Sequence, residues 1–302
     1  MKNTFNSHFT KLKKQDIDFV NIPIDEDLTA FICPFLIENN KLGNKLALDI
    51  YEKMHQFLSK LNSDFIKPNK SIEGKEFLSH LHEPNEYHLG YSGTNKGKAV
   101  SNTRAVTIFD ALRNNRFAKQ NVNVTNDAHF VLLLVKGIGQ DIMSDIIANV
   151  CRDIFASFTS EICKKYKISV SSVSIEFYNA ITKKWEVKSV NLPFYKGKYI
   201  ILLPKFIISG GREYSNLYNW FIAKNYLSIE ILNNKNPLPS DAKFISQMKD
   251  GTKKAIVKKI YKAYRKQKDE LIEFVIRFQG SLDEFVRYAK EHYPELDLSD
   301  LE

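Results

Sequence analysis

The chain has 302 residues, of which 43% are hydrophobic and 12% aromatic, enough apolar material for a packed core and too much for global disorder. Its 44 Lys and Arg against 35 Asp and Glu leave a formal charge of +9, which favours polyanionic partners wherever the cations cluster. Three scattered cysteines (Cys33, Cys151, Cys163) exclude a disulfide scaffold, no apolar run reaches the ~20 residues of a membrane helix, and residues 1–15 lack the apolar segment of a signal peptide, so a cytoplasmic protein with no membrane partner is expected.

Residues 1–15 read as a polar, basic arm. Residues 17–24 and 28–37 read as two strands around Asp25-Glu26-Asp27, with Pro34 confining the second to an edge. Leu42, Leu46, Ile50, Met54, Phe57, Leu58 and Leu61 recur at helical spacing and predict a helix over 42–61. A shorter helix is expected from Ser71 towards His82, then a short strand over 87–91. Residues 92–100, rich in Gly, Ser and Lys, read as a mobile loop. Ser101 is a candidate cap for a helix to Phe117 with Val106, Phe109, Ala111 and Leu112 inward.

The centre of the chain is expected at 128–158. The unalternating run 130–135 predicts a strand covered on both faces. A turn around Gly137 and Gly139 follows, then a long helix with Ile142, Met143, Ile146, Ile147, Val150, Cys151, Ile154, Phe155, Phe158 and Ile162 on one face. Such a turn invites a nucleotide-sensing reading. Against it, Ile142 stands where the dinucleotide fingerprint has its third glycine, and Asp141 and Asp145 repel phosphate. Strands are expected over 170–178, 184–191 and 199–203, turned at 179–182 and 195–197. An aromatic helix over 212–227, a linker over 233–240 and helices from Asp241 onward complete the reading. The fold expected is α/β: a mixed sheet packed by helices in a core domain of residues 1–232, and a helical C-terminal region over 233–302.

Two charge patterns carry chemistry. Carboxylates gathered at strand ends hold Mg²⁺, and a lysine beside them stabilises charge on a phosphoryl group. On that reading Asp27, Asp141 and Asp145 are the candidate metal ligands, and Asp145, Glu186 and Lys188 the candidate catalytic residues. An upstream acid followed by Glu186-Val187-Lys188 on a strand resembles the PD-(D/E)xK nuclease superfamily, with the departure that the long helix here precedes the Glu186 strand. His80, His82 and His88 lack a Cys or HExxH frame and read as exposed polar residues. The second pattern is basic. From Lys249 to Lys268 nine Lys or Arg face one acid, and Lys254, Lys258, Lys262 and Arg265 align on one stripe of a predicted helix, a nucleic-acid surface. Residues 269–302 then hold ten acids and three bases, a tail that either folds over the basic helix or aids solubility.

Residues 24–36 (IDEDLTAFICPFL), 86–92 (EYHLGYS), 137–149 (GIGQDIMSDIIAN) and 192–205, with its closing ILLPK, together resemble uncharacterised bacterial proteins of mobile phage-defence neighbourhoods. Similar proteins carry Asp-Pro where this chain has Cys33-Pro34; if that Asp is a metal ligand, its absence here weighs against a metal site near Asp27. The resemblance implies a role in anti-phage defence rather than a known reaction; with the two charge patterns, the function expected is a nucleic-acid-acting component of such a system, with a metal-dependent nuclease as its catalytic form. The alternative is a non-catalytic binding or regulatory subunit that docks a partner effector protein of the same system or nucleic acid.

Overall fold

The computed structural model describes residues 3–13, 16–90, 101–119, 123–234 and 241–299; the predicted loop at 92–100 and all but the first two residues of the predicted linker lie outside them. Strand β1 (Phe31–Ile32) runs directly into helix α1 (Pro34–Asn40). Pro34 opens the helix, where its missing N–H costs nothing and its fixed φ suits the first turn, so the expected edge strand stops at Cys33. Helix α2 (Lys45–Lys60) starts at Asn44, whose side chain accepts the Ala47 N–H at 3.1 Å. Ile50, Met54, Phe57 and Leu58 form its buried face as expected, whereas Leu42, before the cap, is 92% exposed. Helices α3 (Ser71–Leu78) and α4 (Ser101–Asn114) pack closely, and α5 (Arg116–Lys119) follows. On α4 the inward residues are Ala105, Ile108, Phe109 and Leu112, with Val106 turned outward.

The run expected as the central strand belongs to helix α6 (Ala128–Leu134). Ala128, His129 and Val131 through Leu134 are all buried. A helix enclosed on every side needs no polar stripe, so a short apolar run carries no period to separate it from a covered strand. The long helix expected next is two helices, α7 (Gln140–Val150) and α8 (Arg152–Lys165), interrupted at Cys151 (φ −100°, ψ 18°). Gly139, not Asp141, precedes the first turn of α7. The glycine turn thus joins two helices, which removes the strand-to-helix setting of a nucleotide cradle. Lys268 occupies it instead, donating to the Ile138 carbonyl at 2.5 Å.

Strands β2 (Ser171–Asn179) and β3 (Lys184–Leu192) form a nine-residue antiparallel ladder with Ile175 opposite Lys188 and Phe177 opposite Glu186. Its turn lies where expected: the Asn179 side chain accepts the Ile181 N–H at 2.9 Å. β4 (Phe194–Tyr195) and β5 (Lys198–Tyr199) reverse through Lys196-Gly197, and β6 (Ile208–Ser209) pairs with β1. Helix α9 (Tyr214–Ile222) continues through a π-wound segment (Ala223–Leu227) into α10 (Ser228–Asn233). β7 (Ile245–Gln247), β8 (Lys253–Ala255), α11 (Val257–Tyr264), α12 (Ile272–Arg277) and α13 (Ser281–His292) complete the chain. The protein is α/β with a mainly helical C-terminal region. Among the described residues its sheet is divided into four two-stranded antiparallel ladders, with one parallel bridge between Leu28 and Leu89, and helices fill the interior. No described helix is long and apolar enough to cross a membrane.

Residues beyond 241 share the core of the preceding elements. Phe35 stacks on Tyr214 with ring centroids 4.1 Å apart and meets Phe285 of α13 edge-on at 5.8 Å. The Leu296 N–H donates to the Ile208 carbonyl at 2.8 Å, and Tyr218 and Ser281 share a buried hydroxyl contact at 2.6 Å. Gly74 sets the α3–α4 approach: a Cβ there would overlap the ring of fully buried Phe109 and lie 3.0 Å from Phe65 Cβ. Helix propensity alone would make Gly74→Ala stabilising by about 1 kcal/mol. Overpacking reverses the sign, so the variant is expected to lose about 1–3 kcal/mol in urea unfolding; a gain would show that α3 and α4 can move apart freely.

Candidate functional site

The expected acidic constellation is distributed among different partners. Asp145 on α7 meets Arg104 (Nη2 to Oδ2, 2.5 Å), whose Nη1 donates to Glu83 at 3.0 Å. Asp141 lies one turn before it and acts on it electrostatically. Asp27 faces His88, a buried histidine rather than the exposed one expected; burial lowers its pKa against the pull of Asp27. Glu186 closes its own hairpin, accepting from the Thr182 hydroxyl at 2.5 Å and from Asn179 at 2.8 Å, bonds that hold its pKa below the ordinary carboxylate value. Lys188 lies with its ammonium 5.0 Å from the Phe177 ring centroid. The structure therefore brings Asp141 and Asp145 together but supplies Asp145 and Glu186 with separate partners. Among the described residues no three His, Cys, Asp or Glu are grouped as metal ligands.

A different polar cluster forms where α7 gives way to α8. Arg152, only 2% exposed, reaches the segment 82–86 and β2. Its Nη2 donates to Asn149 Oδ1 at 2.8 Å and to His82 Nε2 at 2.9 Å, and its Nη1 donates to the Glu176 carbonyl at 3.3 Å. Its Nε lies 2.9 Å from Glu86 Oε1, an ion-pair distance at which neither atom completes a hydrogen bond. Asn149 Nδ2 donates to the His82 and Asp145 carbonyls, both at 2.8 Å. Arginine only donates, so His82 accepts at Nε2 and carries its proton on Nδ1, which donates to the His80 carbonyl at 2.9 Å. Burial, then the Arg152 charge, lowers the His82 pKa and keeps the ring neutral. For Arg152 burial acts downward and is the largest single influence, but Glu86 together with Tyr87 and Tyr199 outweighs it and the pKa is raised. His80 completes the cluster, bonded to Glu176 at 2.9 Å and stacked on Trp185. These groups are held by one another: the arrangement joins 80–88 to α7, α8 and β2 and offers a ligand no vacant charge.

The basic region does offer vacant charge, on a different scaffold from the one expected. Lys254 lies on β8, Lys258 and Lys262 on α11, and Arg265 just past the helix end with extended backbone (φ −56°, ψ 138°). The helix predicted across Lys249–Lys268 is replaced by a hairpin and a two-turn helix because Asp250-Gly251 reverses the chain. Gly251 adopts φ +82°, Asp250 accepts from Thr252 N–H and hydroxyl at 3.0 and 2.7 Å, and the Met248 N–H donates to the Thr252 carbonyl at 2.8 Å. Lys249, Lys253, Lys254, Lys258, Lys259, Lys262 and Arg265 are exposed, and among the described residues none forms an ion pair. Lys266 pairs with Glu273 at 2.6 Å, and burial pulls the Lys268 pKa down to about 8. Acids that follow are engaged elsewhere: Glu270 caps Gln267 and Glu284 accepts from Tyr226. The tail, as far as it is described, leaves the basic face open. Sequence reasoning missed Arg152 and Arg104, whose partners, Asn149 apart, lie 21–70 residues away; it also passed over the Asp-Gly turn signal.

Removing one partner of a buried ion pair strands the other charge, at a cost of about 3–5 kcal/mol. Arg152→Met should show that loss in urea unfolding, and Glu86→Gln in the same chain should recover a large part of it; an Arg152→Met protein of wild-type stability would contradict this. Asp145 gives a pH signature. Burial, against the pull of Arg104, raises its pKa from 3.8 to about 7. The native chain thus keeps a proton that the unfolded chain loses, so this contribution to stability is full below pH 3.8 and declines as pH rises to 7. Between pH 5 and 7 the wild type should lose roughly 2 kcal/mol more than Asp145→Asn, which has nothing to titrate; equal losses in urea unfolding at the two pH values would mean that the Arg104 contact keeps Asp145 ionised.

Comparison with known proteins returns a family without an assigned role. No curated protein and no solved structure matches the chain. One family model, described as a domain of unknown function (DUF8370), matches residues 10–215. The match contains the Arg152 cluster and every predicted acidic site residue, and it ends before the basic hairpin and α11. Spanning most of the sequence as it does, this match makes the chain a member of the DUF8370 family.

Proposed function

We propose that this chain binds nucleic acid through the β7–β8 hairpin and α11, as a non-catalytic component of a cytoplasmic bacterial anti-phage system. The observation that carries the proposal is the set of seven exposed cations, free of ion pairs among the described residues, on contiguous elements. Each such cation near a phosphate releases about one counterion, an entropic gain that requires no base contact. The defence setting rests on the resemblance of residues 24–36, 86–92, 137–149 and 192–205. The nuclease reading has weaker support, because Asp145 and Glu186 are engaged by different neighbours and a divalent ion needs several oxygens at ~2.0–2.6 Å.

The test is salt dependence. Binding to duplex DNA should fall with a log–log slope of about −3 to −4 if four cations meet phosphates. Replacing Lys254, Lys258, Lys262 and Arg265 together by Gln should remove most of that slope while the circular dichroism spectrum and urea midpoint hold, since all four side chains are exposed. Wild-type protein that shows no salt-dependent binding to DNA or RNA at ~50 mM salt would end the proposal, since the electrostatic attraction is strong there.

A further inference from the structure

The basic face has aromatic company. Trp220 on α9 is 37% exposed, and its ring centroid lies 5.4 Å from that of Tyr261 on α11, with the planes inclined by 58°. Tyr264, one turn further, is also 37% exposed. Residues three and four apart share a helix face, so Lys258 borders Tyr261 and Lys262 continues the cationic row one turn beyond Lys258, while Arg265 stands four residues after Tyr261, just past the helix end. Lys224, exposed and four residues after Trp220, adds a cation beyond the tryptophan. Ile260 anchors α11 in the core, and the helix packs on the π-wound segment that directly follows α9. Aromatic rings and cations are thus held side by side by packed elements.

We infer that this surface takes single-stranded nucleic acid in preference to duplex, with bases stacking on Trp220 and Tyr261 while the phosphates follow Lys258, Lys262 and Arg265. The inference rests on the proposed nucleic-acid binding and specifies its substrate. Duplex bases are already stacked on one another and offer an outside ring only their groove edges, whereas an unpaired base presents a π-face to any aromatic side chain. Cations alone would not distinguish the two forms in this direction, because duplex carries the denser charge. The exposed Trp220, joined to the cations through Tyr261, is what reverses the preference.

The experiment uses the full chain with two probes, a twenty-nucleotide oligothymidylate and a mixed-sequence duplex of twenty base pairs, at equal salt. Wild type should bind the single strand more tightly, with quenching of tryptophan fluorescence. Of the two tryptophans, Trp185 donates its ring N–H to the Phe77 carbonyl and stacks on His80, so quenching reports Trp220. Trp220→Ala should weaken oligothymidylate binding roughly tenfold, leaving the duplex affinity and the salt slope unchanged. Trp220→Phe, which keeps a stacking ring, should retain most of the affinity and guards against a folding artefact. Salt-dependent duplex binding with no effect of Trp220→Ala on the single strand would overturn this inference and leave the proposed function standing. Failure to bind either probe at ~50 mM salt would overturn both. A dimer in solution whose Trp220 resists acrylamide quenching would also overturn it, by showing that a second copy covers the ring.

Discussion

Arg152 carries a permanent charge into the interior, and much of the surrounding structure follows from the need to match it. An isolated buried guanidinium is too costly to keep, so each of its faces must meet an acceptor. Its four partners come from three places: Glu86 and His82 on an irregular segment, Asn149 on the preceding helix, and the Glu176 backbone on β2. The break at Cys151 sends Arg152 towards that segment rather than continuing one helix. The result is a joint: a stretch with little regular structure, 79–90, acquires one position because a charge beneath it has no other way to be satisfied. Tyr87, fully buried with its hydroxyl donating to the Ala148 carbonyl at 2.9 Å, seals the same joint from the other side.

A second constraint ties the C-terminal elements to this frame. Cys33 and Tyr214 lie 3.1 Å apart through sulfur and hydroxyl, Phe35 stacks on Tyr214, and both rings pack near α13. Arg212 donates to the Tyr293 and Pro294 carbonyls, and Asn219 bridges to both backbone atoms of Lys266. The last of these contacts bears on function. It fixes the chain immediately after α11 to the helix that bears Trp220, so the cations and the aromatic rings belong to one rigid arrangement. A basic tail on a flexible arm would bind polyanions as well, but would not hold a ring beside a phosphate.

What was legible in the sequence were the elements with one wet and one dry face. α2, α9 and the β2–β3 hairpin were readable because burial on one side imposes a period, and the turn at Asn179 carried its own side-chain signal. α6 was not, since a helix buried all round has no period to read. The basic stripe was read from charge spacing alone, and that spacing overrode Asp250-Gly251, a local turn signal that in fact governs the backbone there. The four cations are exposed, but they are spread over β8, α11 and the residue after it rather than along one helix face. Arg152 could not have been found by pattern, because nothing in the spacing of 82, 86, 149, 152 and 176 indicates convergence. Charged residue types could be counted, but not which of them would neutralise one another.

That last distinction separates the two charged regions. At the Arg152 joint every charge has a counterpart, and the net effect is internal order. On α11 Lys258 and Lys262 stand one turn apart with like charge, an arrangement that destabilises a helix by about 0.2–0.5 kcal/mol per pair. Acids close by in sequence are present but bond elsewhere, to Lys266, Gln267 and Tyr226. A helix of only eight residues has little intrinsic stability with which to offset such repulsion, and holds its shape through Ile260 and its neighbours in the core. An anion laid across the two lysines would turn the repulsive pair into an attractive site. The strained state of this face is therefore the unliganded one, and binding there would stabilise the fold as well as the complex.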